Sequence, residues 1–437
     1  MATLAAPSTT RLAAGLARRG LHYGWLVIAV TFITMLCAAA VRSMPGVLIR
    51  PLEAEFGWDR ASIATAVSLN LLLFGAMGPF VGRWMDRYGP RRVVIGAVSL
   101  LTLGALATTT MTTVWQLDLY WGLIVGMGAG GVAMVLVGSV VNRWFDQRRG
   151  LITGVLGAAN SAGQIIFVPL IAWLSVTVGW RVGVLLAAAL LTLVVLPLLV
   201  LVFRNQPSDV GLRRYGESAA PTGRVAQGSQ GDSTPMWQVF RTPEFWWLAG
   251  GLFVCGYTTN GLIGTHFISH AADHGIGEVT AAEVYGLMGG VNILGTIGAG
   301  MLADRVRNRN KLLVAFYAFR GLSLLYLPFI QDVGMLTIFA ILYGLNWFGT
   351  APVSQLIAAD VFGRRSVGTV YGFLFLGHQM GGALAAMTGG VVHNWLGDYQ
   401  MAFLSAGMAG LVAAGLSWQI REHRSKPVAQ RAPASSR

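Results

Sequence analysis

The stretch Gly82–Arg92, GRWMDRYGPRR, ends a long apolar run with a tight turn that carries charges of both signs. A weaker copy, Gly300–Lys311, GMLADRVRNRNK, ends another apolar run 218 residues later. Both copies contain the pattern Gly-x-x-x-Asp-Arg, which places a glycine one helical turn before the aspartate. Such a glycine allows a neighbouring helix to pack closely, and the carboxylate can cap a helix or pair with an arginine. The same motif therefore stands at matching places in two halves of the chain.

The composition is that of a membrane protein. Of the 437 residues, 54% are hydrophobic and only 11% are charged, and apolar runs of about twenty residues recur along the chain. The 57 glycines suit close helix packing in lipid. The net charge of +13 does not indicate a nucleic-acid partner, because the cations lie in short turns between the apolar runs. The lipid bilayer is the predicted environment.

Twelve apolar runs predict twelve membrane-spanning helices, with boundaries good to a few residues. They cover residues 24–49, 61–83, 93–113, 116–142, 149–174, 181–203, 245–270, 281–303, 312–330, 335–360, 366–392 and 400–420. With the N-terminus inside, 26 of the 31 lysines and arginines fall in the tails, the even-numbered loops and the central loop. The positive-inside rule therefore places both termini in the cytoplasm.

The predicted organisation has five parts. They are a tail at 1–23, a six-helix bundle at 24–204, a linker at 205–244, a second six-helix bundle at 245–420 and a tail at 421–437. The middle of the linker, GESAAPTGRVAQGSQGDSTP, is rich in Gly, Ser, Gln and Pro, which predicts a flexible connection. Two six-helix halves imply bundles related by a pseudo-twofold axis along the membrane normal, with a cavity between them.

The charged turn and its copy resemble the signature of the major facilitator superfamily, which joins helices two and three and recurs, degraded, between eight and nine. Three other stretches are similar to the bacterial monocarboxylate and oxalate–formate carriers of that superfamily: Gln206–Leu212, Arg50–Ala61 and Asn142–Gly150. The resemblance implies an all-α membrane protein, with twelve transmembrane helices in two pseudo-symmetric six-helix bundles. We expect a monomer in the cytoplasmic (inner) membrane of a bacterium, working by alternating access.

Arg42 is the cation that stands out, because it lies well inside the first span. An ionised side chain in hydrocarbon costs roughly 2.5–3.5 kcal/mol on insertion scales. Span one lines the cavity in this superfamily, so the resemblance implies that Arg42 anchors a substrate anion. The alternative is that Arg42 snorkels to the outer headgroups or pairs with Glu53 or Asp59. Arg320, in the peripheral ninth span, is expected to be structural and to bond helix carbonyls.

The remaining candidate contacts to substrate are neutral polar or aromatic side chains inside the spans. Buried amides and hydroxyls need partners, and a polar substrate is one such partner. Hydrogen bonds between helices are the alternative, expected for about half of them. The candidates are Asn70, Asn160, Gln164, Tyr257, Asn260, Asn292, Thr296, Asn346, Trp347 and His378.

The resemblance assigns conformational gating to the charged turns and to the inner end of span ten. We expect Asp360, with Arg364 and Arg365, to pair with the turn around Asp86 and to hold one state of the transport cycle. The predicted gating residues are Gly82, Asp86, Arg87, Arg91, Arg92, Asp304, Arg305 and Asp360.

The eighth span departs from the pattern of the related carboxylate carriers, which typically hold an arginine there, often with an aspartate one turn before it. Thr296 and Asn292 occupy these positions. The missing guanidinium removes a bidentate carboxylate clamp and disfavours a dicarboxylate such as oxalate. A small organic anion, most simply a monocarboxylate, is the first predicted substrate class. A proton could accompany it, carried by His378 or by the carboxyl of the substrate.

Other functions stay open at this stage. One is a carrier for a neutral or aromatic, vitamin-like metabolite, or for a drug in efflux. Another is a membrane-bound sensor that has lost transport, which the intact turn at Asp86 disfavours. No reacting group, cofactor signature or metal-ligand cluster is evident, so no enzyme activity is predicted. His266 and His270, four residues apart on span seven, are expected to be wetted and hydrogen-bonded.

Overall fold

The fold was examined in a computed structural model that describes residues 15, 18, 20–217, 236–306, 308–362 and 367–421. Most of the two predicted tails and the middle of the predicted linker lie outside these residues. Within them the chain forms helices and turns, with no strand longer than an isolated bridge between Phe145 and Tyr215. The predicted all-α class is confirmed.

Six helical spans form the first half. Span one is Tyr23–Arg42 continued by Met44–Phe56, span two is Arg60–Tyr88 and span three is Pro90–Thr108. Span four consists of Val114–Leu117, Asp118–Val125, Gly126–Gly131 and Met134–Trp144. Span five is Arg149–Thr177 and span six is Trp180–Leu201. The first span extends seven residues beyond its predicted end at residue 49, because the stretch from Arg50 to Phe56 continues the helix as far as Gly57. Gly57 ends it in the left-handed conformation, with a φ of 68°.

Six further spans form the second half of the described chain. Span seven consists of Pro243–Gly256, Tyr257–Ile263 and Gly264–Asp273, span eight is Glu278–Arg305 and span nine is Arg309–Tyr326. Span ten is Val333–Asn346 continued by Thr350–Phe362, span eleven is Val367–Leu396 and span twelve is Gln400–Trp418. Ten of the twelve spans are long and apolar enough to cross a membrane. The other two, spans seven and eleven, carry polar groups in mid-length, around Asn260 and His378.

The two ends of the molecule are named here by their contacts. The terminal face is the end near Tyr23, whose hydroxyl donates to the carbonyl of Val202 at 2.6 Å. The opposite face is the end where Arg60 at the start of span two meets Asp273 at the end of span seven. On the predicted topology the terminal face is cytoplasmic.

The two halves touch at the opposite face and separate toward the terminal face. Spans two and eleven pack closely as far as Gly75, where an added Cβ would lie 2.6 Å from Cβ of Gln379. Spans five and eight stay in contact as far as the Asn292 amide, which donates to Ser161 Oγ at 3.2 Å. Nearer the terminal face, Gly78, Gly154, Gly298, Gly300 and Gly372 meet no atom within 4 Å of an added Cβ. A cleft between the halves is therefore open to the terminal face.

The α-helix is interrupted near mid-membrane at Ser43 in span one, at Val132–Ala133 in span four and at Trp347–Gly349 in span ten. π-Helical segments lie within spans four, six and seven, at Asp118–Val125, Leu190–Val195 and Tyr257–Ile263. Such interruptions occur in transporters where irregular backbone lines a cavity. They mark the level at which polar side chains and backbone groups become available between the halves.

The beginning of the predicted linker packs against the first half. Pro207–Val210 forms a short 3-10 helix, and Tyr215 pairs with Phe145 in a parallel bridge. His22 Nε2 lies 3.0 Å from the carbonyl oxygen of Arg213. The ordered contacts therefore continue past the predicted boundary at residue 205, up to Glu217 at the edge of the described stretch.

Glycine at the crossing of spans seven and eleven is a steric requirement. A Cβ on Gly256 would lie 1.6 Å from the His378 carbonyl oxygen, whereas a Cβ on Gly372 would meet nothing within 4 Å. We therefore expect Gly256→Ala to lower the stability of the purified protein by about 1–3 kcal/mol through overpacking. Thermal unfolding in detergent, with Gly372→Ala as the control, measures this. Equal unfolding temperatures for the two variants would contradict the close crossing.

Candidate functional site

Arg42 lies at the end of the first helix of span one, beside the interruption at Ser43. Its Nη1 donates to Asn160 Oδ1 of span five at 3.1 Å, and its guanidinium lies 4.5 Å from the ring centroid of Phe74 in span two. Among the described residues no carboxylate lies within ion-pair distance of Arg42. The alternative pairing with Glu53 or Asp59 is not formed, because those carboxylates bond Arg60 and Asn394 instead.

A line of rings connects Arg42 to the second half of the molecule. Phe74 makes an edge-to-face contact with Phe375 of span eleven at 5.9 Å between centroids. Phe375 in turn stacks on His378, with centroids 5.7 Å apart and planes 14° from parallel. The cation and the imidazole thus lie at the two ends of an apolar contact that crosses between the halves.

A second polar group surrounds His378. Asn260 Nδ2 lies 3.4 Å from His378 Nε2 and donates to Gln379 Oε1 at 3.2 Å. Because an amide nitrogen only donates, His378 Nε2 is the acceptor in this arrangement. The proton then sits on Nδ1, which lies 3.2 Å from the carbonyl of Leu252. Here Asn260 and His378, both predicted as site residues, do come together.

Five of the other predicted contacts are engaged within the protein. Asn70 donates to the carbonyl of Trp121 at 2.7 Å, and Tyr257 meets Thr388 Oγ1 at 3.3 Å. Asn292 bonds Ser161 and accepts from the backbone of Phe348, while Thr296 donates to Asn292 at 3.1 Å. Asn346 donates to the carbonyl of Phe316. Four of these residues bond a neighbouring helix, as the interhelical alternative expects, whereas Thr296 bonds Asn292 within span eight.

Gln164 and Trp347 make no hydrogen bond through their polar side-chain atoms within the described chain, and Asn346 Oδ1 is likewise buried without a partner. Gln164 lies one turn from Asn160 and faces Gly289 of span eight, and its Oε1 is buried without a hydrogen-bond partner in the described chain. Trp347 is only 1% exposed and packs edge-to-face on Tyr285, with ring centroids 5.2 Å apart. Trp347 therefore supports the wall of the site, and its role as a direct contact stays a prediction.

Arg320 is fully buried and bonds the backbone where span ten is interrupted. Its Nη2 donates to the carbonyls of Asn346 and Trp347, both at 2.7 Å, and its Nη1 donates to Cys255 Sγ at 2.9 Å. The last carbonyls of a helix carry partial negative charge and lack helical partners, so a guanidinium compensates them. These contacts agree with the structural role predicted for Arg320.

The charged turns pair within their own halves. Asp86 accepts from Arg143 Nη2 of span four at 3.3 Å, and Asp360 pairs with Arg309 of span nine. Among the described residues, no ion pair joins the turn at Asp86 to Asp360, and the expected pairing with Arg364 and Arg365 stays a prediction. Arg364 and Arg365 lie outside the described residues.

The other predicted gating residues are spread over the terminal face. Gly82 faces Val135 at an ordinary 3.6 Å, and Gly300 meets nothing, so neither glycine makes a close helix crossing in this open conformation. The guanidinium of Arg87 lies over the Tyr88 ring, and the backbone of Arg91 donates to Asn205. Arg92 and Arg305 are exposed, and the side chain of Asp304 lies outside those that the structure describes.

A buried cluster at the opposite face was not predicted. Arg60, with a side chain only 6% exposed, donates through Nη2 to Asp273 Oδ1 at 2.9 Å and through Nε to Glu53 at 3.0 Å. Tyr399 of span twelve accepts from the same guanidinium at 3.2 Å, and His393 Nε2 lies 3.3 Å from Asp273. One indication of this cluster is present in the sequence, because Arg60 is one of the five cations that fall outside the predicted cytoplasmic regions.

The two histidines of span seven complete this cluster and correct their predicted environment. His266 is 0% exposed and its Nε2 lies 2.7 Å from the carbonyl of Ala386, so it is hydrogen-bonded but not wetted. His270 is 2% exposed and packs on Phe403, with centroids 4.8 Å apart. Both rings are buried because span twelve covers this side of span seven.

The sequence model of the Major Facilitator Superfamily matches residues 31–352 and 299–436, which together span most of the chain. The chain belongs to the major facilitator superfamily. It is therefore a multi-pass membrane transporter and not an enzyme, as predicted. Members of this superfamily carry small molecules across membranes.

Relatives of this superfamily member include several carriers. It is 25% identical over 382 residues to the uncharacterized MFS-type transporter YcxA of Bacillus subtilis, covering 86% of this chain and 90% of that one. It is 25% identical over 402 residues to monocarboxylate transporter 13 of Rattus norvegicus, covering 90% and 88%. It is 24% identical over 422 residues to the oxalate:formate antiporter of Oxalobacter formigenes, covering 94% of each.

Solved structures of other superfamily members share the fold. A bacterial homologue of the human lysosomal transporter Spinster matches with a TM-score of 0.72 and 16% identity, covering 91% of this chain and 96% of that one. A D-xylose–proton symporter matches with a TM-score of 0.69 and 17% identity, covering 92% and 98%. The predicted major facilitator fold is confirmed.

The Arg60 cluster predicts how the opposite face is kept closed. Asp273 is the carboxylate of the second half that pairs with the buried Arg60, so Asp273→Asn should weaken the contact between the halves and shift this transporter toward opening at that face. Ala64 is fully buried there, with its Cβ 2.9 Å from an added Cβ on Gly390, and it can report the opening as Ala64→Cys. The rate at which an impermeant maleimide labels the introduced thiol should rise at least tenfold in Asp273→Asn.

The control makes the same chemical change on the same face within one half. Asp332 caps span ten by accepting from the backbone of Met335 at 2.9 Å, and it does not join the halves. Asp332→Asn should leave the labelling rate unchanged. All labelling is measured in a background in which Cys37 and Cys255 are replaced. If Asp273→Asn is labelled as slowly as the protein with Asp273 intact, Arg60–Asp273 is not the contact that closes this face.

Proposed function

We propose that this transporter moves a small organic monocarboxylate by alternating access and that Arg42 binds its carboxylate. The observation that carries the proposal is a half-buried guanidinium, packed between Asn160 of span five and Phe74 of span two, that has no carboxylate partner in the described chain. One of its N–H groups bonds Asn160 Oδ1, and no other hydrogen bond from it is formed within the described residues. A guanidinium presents five donors in a planar fork that suits a carboxylate.

The surroundings of Arg42 favour a singly charged substrate with a small apolar body. The ring of Phe74 lies 4.5 Å from the guanidinium, and Phe375 follows it toward the second half. Arg320 is occupied by the carbonyls of span ten and is fully buried, so it offers no second cation to the cleft. A dicarboxylate would leave one charge without a partner in this site.

Two further facts support the proposal. The named relatives include a monocarboxylate transporter and an oxalate:formate antiporter. The Arg60 cluster closes the opposite face, and the close contact of spans two and eleven extends to Gly75, next to the Phe74 ring that Arg42 contacts. Rocking of the halves about this level would expose Arg42 first to one side and then to the other. On the predicted topology the open side is the cytoplasm of a bacterium.

Substitution of Arg42 tests the anion proposal. Loss of a charge-assisted contact costs about 1.5–3 kcal/mol, so Arg42→Gln should weaken anion affinity roughly ten- to a hundredfold. Arg42→Lys should retain part of it, because the charge survives but the planar fork does not. Counterflow in proteoliposomes is measured for formate, lactate, pyruvate and benzoate, and separately for the primary amide of each. The carboxylate with the strongest signal becomes the probe, and its affinity is then measured in wild type and variants.

The matched control is Arg181→Gln, at the opposite face, where Arg181 pairs with Glu55 at 2.6 Å, away from the cleft. It should leave anion affinity within twofold of wild type. Near-normal anion affinity in a correctly inserted Arg42→Gln protein would refute the anion proposal. Preference for the neutral amides in wild type would instead favour the carrier of a neutral or aromatic solute.

Proton coupling through His378 is a separate, testable part of the proposal. His378 accepts from Asn260 when neutral, so protonation of Nε2 requires the Asn260 amide to turn over. If His378 carries the transported proton, His378→Gln should abolish accumulation driven by an imposed pH gradient and leave counterflow intact. Accumulation that persists at the wild-type level would assign the proton to the carboxyl of the substrate. Uptake at a series of pH values in wild-type and variant vesicles separates the two.

A further inference from the structure

We propose that Tyr285 of span eight donates the second hydrogen bond to the carboxylate that Arg42 binds. This inference rests on the proposed function and names a specificity residue for the same site. Arg42 would hold one carboxylate oxygen from the first half of the molecule, and the Tyr285 hydroxyl would hold the other from the second half. The anion would then bridge the two halves at the level where the spans are interrupted.

The ring of Tyr285 is held by aromatic neighbours on two other spans. It contacts Trp347 of span ten edge-to-face at 5.2 Å and Phe267 of span seven at 6.0 Å, measured between ring centroids. The residue is only 6% exposed, so these rings restrict its side-chain rotamers. A hydroxyl on a ring packed in this way is a preorganised donor, since little side-chain freedom remains to be lost on binding.

The hydroxyl of Tyr285 lies near the crossing of spans one and seven. Span one makes this crossing at Gly46, about one helical turn after Arg42 in the sequence. At that crossing an added Cβ on Gly46 would lie 2.8 Å from the carbonyl oxygen of Gly264. The Tyr285 hydroxyl is 3.7 Å from the corresponding Cβ position of Gly264. Arg42 and Tyr285 are also close enough to interact electrostatically. The donor from the second half therefore faces the region of the cation from the first half.

The Tyr285 hydroxyl makes no hydrogen bond with any described residue, and it is not among the polar atoms sealed from solvent. The next polar side chain on the same helix face, Asn292, lies two turns further on and is occupied by Ser161 and Phe348. Thr296 is occupied by Asn292. Of these three span-eight side chains, Tyr285 is the one with a free donor near Arg42. It can compensate for the arginine that related carriers hold on this span.

A phenol donor at this position gives a specific chemical preference. A hydrogen bond to an ionised acceptor is roughly twice as strong as one between neutral groups. The Tyr285 hydroxyl should therefore contribute more to binding a carboxylate than to binding the matching primary amide. Since Arg42 and Tyr285 belong to different halves, both contacts form together only where the halves approach each other around the ligand.

The experiment uses the full-length transporter in proteoliposomes, with the probe selected by counterflow and its primary amide. Tyr285→Phe keeps the ring that packs on Trp347 and removes the hydroxyl. We expect its affinity for the monocarboxylate to fall about tenfold and its affinity for the amide to change less than threefold. Tyr285→His keeps a ring with an N–H donor, so it should recover part of the anion affinity if the phenylalanine variant is poorly inserted.

Two controls separate a binding role from a structural one. Tyr343→Phe removes a hydroxyl that donates to the Thr258 carbonyl at 2.9 Å, so it should lower thermal stability and affect both probes alike. In the double variant Arg42→Gln/Tyr285→Phe, the loss of anion affinity should be smaller than the product of the single losses, because both groups hold one carboxylate.

The outcomes separate this inference from the proposed function. Loss of anion affinity in Arg42→Gln, with none in Tyr285→Phe, would overturn the role of Tyr285 and leave the anion site intact. Equal losses for anion and amide in Tyr285→Phe would likewise overturn it and assign the residue to packing. No loss in Arg42→Gln would overturn the anion proposal and this inference with it.

Discussion

The ion pair between Arg60 and Asp273 is the contact on which the observed arrangement of the halves depends. Its two partners come from spans two and seven, and Tyr399 and Glu53 complete the coordination of the guanidinium. A charge removed from water is stable only with such partners, and separating the halves at this face would replace these bonds by contacts with water. The cleft is open at the terminal face because the tightly bonded contacts lie at the other end.

Backbone chemistry decides where a polar site can form between these halves. In lipid an interrupted helix is tolerated only where other groups bond its free carbonyls and amides, or where it lines water. Arg320 does this for span ten, bonding the carbonyls of Asn346 and Trp347. The interruption at Ser43 leaves Arg42 at the end of a helix. The two arginines within spans therefore differ, because Arg320 bonds the backbone of span ten and Arg42 keeps free donors.

Local patterns were enough to predict the fold, and they were not enough to predict the site. Apolar runs and the repeated turn at Asp86 carry their information within about twenty residues, so the helices and their class follow from the sequence. Arg42 and Arg320 could be noticed because a charge within an apolar run is unusual. The contact of Arg60 with Asp273 joins residues 213 apart, and no local pattern encodes it. Phe74 and Tyr285 look like ordinary apolar-run residues until neighbouring spans show which face they present.

The thermodynamics of a carrier constrain what the terminal face must do in the other state. A minor conformation that is used in every cycle can lie only a few kcal/mol above the major one. Opening the opposite face would lose the buried Arg60–Asp273 contact, a loss of similar size or larger. New contacts must therefore form where the halves are now apart. Asp86 and Asp360 lie on that face and pair within their own halves here, with Arg143 and Arg309. We expect these pairs to exchange partners when the face closes.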